Sequence, residues 1–111
     1  MTKEVEYDYI TGSPNTVIES LNRSLGQFKR GNSQVKVGIT GRNPQVRFNE
    51  HLKEKNWSRM VIIYKTASIN FANIIEEWLV EKHYDELVNK KAGGGSDLSA
   101  IGDNYVYVLL K

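Results

Sequence analysis

The 111 residues contain no cysteine, which excludes disulfides and any thiolate metal site. No apolar run approaches the roughly 18 residues that span a bilayer. The start, Met1-Thr2-Lys3-Glu4, has no hydrophobic stretch behind it, so a signal peptide is not expected. There are two prolines, Pro14 and Pro44. Each follows a capping residue, Ser13 or Asn43, so each reads as a helix start. Internal repeats and a clear linker are also lacking. These absences leave a soluble, cytoplasmic protein of one domain over residues 1–111, with no membrane contact. Monomer and homodimer both stay open.

What is present is unevenly charged. The net charge is only +2. Residues 23–59 nevertheless hold nine basic side chains, from Arg23 to Arg59, and only two acids, Glu50 and Glu54. The rest of the chain is net acidic. A basic segment of this kind suits phosphate-backbone binding, because neutralised phosphates release counterions. A solvated face with no partner explains it equally well.

Hydrophobic spacing marks the elements. Val5 to Thr11 alternates loosely and suggests a strand. Val17, Ile18, Leu21, Leu25 and Phe28 recur at helical spacing, which gives a helix over 14–30 with Gly31 as its stop. Val35, Val37 and Ile39 share one face of a second strand, and Lys36, Gly38 and Thr40 share the other. A helix over about 44–55 follows. Met60 to Tyr64 reads as a central buried strand. Phe71, Ala72, Ile74, Ile75, Trp78 and Leu79 make the stripe of a helix over about 69–84. Gly93–Gly95 is a turn, and Tyr105 to Leu110 is a last strand. This order predicts one mixed α+β domain: a small antiparallel or mixed central sheet flanked by helices.

Three elements stand out chemically. Arg47 and His51, four apart on one helix, stand one above the other at the border of the face led by Phe48 and Leu52. Alone, such a pair is most often a surface feature. Glu76 falls at the margin of its helix's apolar stripe, with Glu77 and Glu81 toward solvent. The bland reading is a partly exposed ion-pair residue; a lone carboxylate can also hold Mg²⁺ or Mn²⁺, which prefer oxygen ligands. Gly38, on the polar face of its strand, permits a close approach or a bulge. His83, Trp57 and Trp78 read as solvent face, loop packing and core.

Taken in order, these residues resemble the GIY-YIG nuclease superfamily. Lys36-Val37-Gly38-Ile39-Thr40, then Asn43-Pro44, Arg47 and His51, are similar to the second half of its signature. Met60–Thr66 with Ala72–Glu76 matches its hydrophobic strand and glutamate-bearing helix. Asn89 and Gly93–Gly95 match its asparagine before a glycine-rich segment. Two departures are plain. Lys36 stands where the family's second motif has tyrosine. The first motif has no Gly-Ile-Tyr string, and Tyr7 or Tyr9 must fill its place. The 14–30 helix lies between the two motifs as an insertion.

The resemblance implies a metal-dependent endonuclease that hydrolyses DNA phosphodiester bonds. Glu76 would hold Mg²⁺ or Mn²⁺, and Arg47 would bind phosphate oxygens. Tyr7 or Tyr9 would act as general base, with Lys36 and His51 assisting and Asn89 bracing the site. Arg42, Arg47, Lys53 and Lys55 would grip DNA. Two rival classes share the fold: a nucleic-acid-binding module without catalysis, and a protein-interaction scaffold.

Overall fold

The computed structural model describes residues 3–88 and 102–111. Asn89 and Gly93–Gly95 lie outside the described residues. The elements run β1 (Glu6–Ile10), α1 (Pro14–Gly31), β2 (Val35–Thr40), α2 (Pro44–Glu54), β3 (Arg59–Thr66), α3 (Ile69–Lys82), a short 3-10 turn (Tyr84–Glu86) and β4 (Asn104–Leu110). The mixed α+β architecture is the one the periodicity predicts.

Local chemistry sets the helix starts. Pro14 and Pro44 occupy first-turn positions, where a missing N–H costs nothing. The Asn43 side chain accepts from the Gln45 amide at 2.9 Å, and Ser68 Oγ accepts from the Phe71 amide at 3.1 Å. Gly12 turns the chain into α1 with φ of +131°, a conformation that side chains disfavour. Its carbonyl accepts a hydrogen bond from the Tyr64 hydroxyl, which ties this turn to β3.

The four strands lie in the order β1-β3-β4-β2. β1 pairs parallel with β3, and β4 pairs antiparallel with both β3 and β2. The last strand of the chain is therefore central, while β1 and β2 form opposite edges. Alternation sorts the side chains into two cores. Val35, Val37, Ile39, Val61, Ile63, Val106, Val108 and Leu110 pack against Leu21 and Leu25 of α1 and Ile75 and Leu79 of α3. Met60, Ile62, Tyr107 and Leu109 pack on the other face against Phe48 of α2 and Trp57. A register irregularity between Ile62 and Tyr64 lets Ile63 and Tyr64 join the same core.

Four sequence readings need correction. Glu76 is not at a margin: it is 1% exposed, flanked along α3 by buried Ala72, Ile75, Leu79 and Val80. Ile74 and Trp78 are 48% and 37% exposed rather than core. Apolar residues run most of the way around α3, so their spacing alone misplaced its buried face. His83 is 9% exposed and not on a solvent face. Its Nδ1 accepts from Lys29 Nζ at 2.5 Å, and its Nε2 donates to Asn22 Oδ1 at 2.6 Å. Lys29 also pairs with Glu86 at 2.8 Å, so this cluster joins α1 to the end of α3.

Candidate functional site

The polar face of β2 meets α2. Gly38 lies opposite Tyr107 of β4 in the antiparallel ladder. A Cβ on Gly38 would sit 2.4 Å from the Tyr107 hydroxyl and ring, so only glycine admits the ring there. With the ring laid over Gly38, the Tyr107 hydroxyl meets His51 Nε2 of α2 at 2.7 Å. The two rings are edge to face, with centroids 5.7 Å apart. Tyr107 is 1% exposed and His51 2%.

Cations surround this pair. Burial, and then the positive charges of Arg47 and Lys36, hold His51 down at about 4, against a small opposing effect of Glu50. The imidazole is therefore neutral at physiological pH. Burial and the two cations make this imidazole a weaker base than one in water, so it acts as a neutral hydrogen-bonding partner of Tyr107. Arg47 Nη1 donates to Glu50 Oε1 at 2.9 Å. Arg42, in the turn before α2, donates to both Glu50 oxygens at 3.0 and 2.7 Å. These bonds pull the Glu50 carboxyl down to about 2.

The structure thus gathers Lys36, Gly38, Arg47 and His51 on one face of the sheet. Tyr7 and Tyr9 are elsewhere. They belong to β1, and β3 and β4 intervene between β1 and β2. Three strand spacings, about 14 Å, separate the two edge strands. Tyr7 is level with Ile62, on the α2 face, and is 56% exposed. Tyr9 carries Lys65 Nζ 5.4 Å from its ring centre. The phenol beside the cationic cluster is Tyr107, which the sequence reading missed. Its one sequence signal is the spacing of Tyr105 and Tyr107 on one face of the last strand, and that signal has no meaning until β4 is paired with β2.

Glu76 approaches from the other side. α3 packs on the aliphatic face, whereas α2 covers the opposite one. Both helices flank β2, an edge strand, so a carboxylate on α3 and a guanidinium on α2 can share a ligand only around that edge. Among the described residues no group of three or more His, Asp or Glu gathers for a metal. One carboxylate suits Mg²⁺ or Mn²⁺, which keep most of their water or take phosphate oxygens, and does not suit zinc. Lys53 and Lys55 lie at the far end of α2 from Arg42, and Lys55 Nζ is 5.0 Å from the Trp57 ring centre.

No family model, curated protein or solved structure matches the chain.

Proposed function

We propose that the chain is a phosphodiester-cleaving domain that acts on DNA with one divalent cation. One observation carries this reading: Lys36 and Arg47 lie beside the buried His51–Tyr107 pair, whose phenol ring covers Gly38 on one sheet face. Arg47 and Lys36 supply positive charge for a phosphate as negative charge builds on its oxygens. His51, neutral and hydrogen-bonded to the Tyr107 hydroxyl, holds that phenol in place and is itself only a weak proton acceptor. The Tyr107–His51 pair takes the general-base role first expected of Tyr7 or Tyr9. Glu76 is the carboxylate for Mg²⁺ or Mn²⁺; a cation there would polarise the scissile phosphate.

Nicking of supercoiled plasmid with Mg²⁺ or Mn²⁺ tests the reading. Arg47→Ala, Glu76→Gln and Tyr107→Phe should each slow cleavage by about 100-fold or more. Tyr7→Phe and Tyr9→Phe should cut at the wild-type rate. Full activity in Glu76→Gln sinks the metal role. Loss of activity in Tyr7→Phe returns the base to β1.

A second reading is a nucleic-acid binder without hydrolysis. It is favoured by the weak basicity of His51, which burial and the nearby cations hold at about 4. It predicts tight, salt-sensitive binding of the same plasmid with no metal-dependent nicks.

A further inference from the structure

We propose that Arg42 and Arg47 form a fork for a phosphate group, and that Glu50 fills this fork as an internal carboxylate until a phosphate displaces it. The idea rests on the α2 face being the nucleic-acid side, as argued above. The geometry is that of an anion site. Arg42 presents two nitrogens to the two Glu50 oxygens, at 3.0 and 2.7 Å. Arg47 adds a third bond, at 2.9 Å to the oxygen that also takes the shorter Arg42 bond. A guanidinium fork fits two non-bridging phosphate oxygens as well as it fits a carboxylate.

Local structure holds the fork in place. Thr40 Oγ1 accepts from the Arg42 amide at 3.1 Å, which fixes the turn out of β2. The Asn43 cap fixes the start of α2. Arg47 and Glu50 then stand three apart on the helix, on neighbouring surface positions. The two guanidiniums converge from two different elements on one carboxylate.

Glu50 is replaceable. The side chains of Arg42, Arg47 and Glu50 are 42%, 30% and 38% exposed, so solvent and ligands reach all three. Exposed ion pairs are weak and are exchanged easily. Glu50 is also one of only two acids in the basic 23–59 segment. It sits where it lowers the positive charge beside Arg47, and so restrains phosphate binding until a polyanion competes.

The test compares Glu50→Gln with Glu54→Gln, an equal charge change one turn further along the same helix and outside the three bonds of the fork. Both proteins are first matched to wild type by thermal unfolding. Binding of a short duplex DNA is then measured across salt concentrations. Glu50→Gln should bind about tenfold tighter than wild type, with a salt slope steeper by about one. Glu54→Gln should gain clearly less. Inorganic phosphate is titrated in parallel while the arginine side-chain NMR signals are followed. Phosphate should move Arg42 and Arg47 in Glu50→Gln far more than Arg59, which remains paired with Glu6. Equal tightening by both variants, or equal shifts at Arg59, overturns the proposal. Selective phosphate shifts without any gain in DNA affinity uphold the fork and sink the nucleic-acid reading instead.

Discussion

The two faces of the sheet differ in kind. Toward α1 and α3 the strands present valine, isoleucine and leucine, with the Glu76 carboxyl group buried on that side. Toward α2 they present Tyr107, Ile62 and Leu109, with Thr40 and His51 buried beside them. The first face stabilises by excluding water from aliphatic surface, and many substitutions of similar volume would serve. The second adds a buried polar contact, the hydrogen bond between His51 and Tyr107. Aliphatic packing and the His51–Tyr107 pair thus lie on opposite sides of one layer of backbone.

The largest test of that contrast is Leu25→Ala, which removes a fully buried side chain from the aliphatic face. It should cost about 2–5 kcal/mol in urea unfolding while leaving the His51–Tyr107 bond intact. A cost under about 1 kcal/mol would break the contrast.

Acid should act on the other face. His51 is held at about 4, below its ordinary 6.5. Between those values the unfolded chain binds a proton that the folded chain refuses. Stability is therefore full above about pH 6.5, falls as pH drops toward about 4, and levels off below, with up to about 3 kcal/mol lost. His83, also lowered, first by burial and then by Lys29, adds in the same direction. Unfolding midpoints across this range should show the fall in wild type and a shallower one in His51→Gln. A flat wild-type profile would contradict the burial argument.

Gly38→Ala should cost about 1–3 kcal/mol, because its new Cβ meets the Tyr107 ring. The His51–Tyr107 bond should go with it, visible as a His51 titration that moves back toward 6.5. The smallest effect belongs to the exposed pair that joins β3 to β1. Arg59 donates to Glu6 twice at 2.7 Å, yet Arg59→Ala should cost under about 1 kcal/mol by the same unfolding assay.

Local features were legible in the sequence. Proline after a capping residue marked α1 and α2, and alternation in β2 separated Val37 from Lys36. Arg47 and His51 were identifiable as a stacked pair because helix geometry is local, and Lys36 joined them only through the family resemblance. What escaped was long-range. Strand order is not written in periodicity, so nothing indicated that β1 would lie at the opposite edge from β2, or that Tyr107 would replace Tyr7 and Tyr9 beside His51. Glu76 and His83 were misjudged for a related reason. Their burial depends on what α1 and β2 bring against them, not on their own helix.

The central position of β4 has a kinetic consequence. β2 ends at residue 40 and β4 begins at residue 104, yet every residue of β2 pairs with one of β4. β3 also has β4 as a neighbour, so neither strand can join the other's sheet until the last segment docks. Pairings this distant in sequence carry a loop-closure cost before any contact repays it, which places them late in folding. The His51–Tyr107 contact then forms only in the final assembly step. A chain stalled before that step would have its helices but no site.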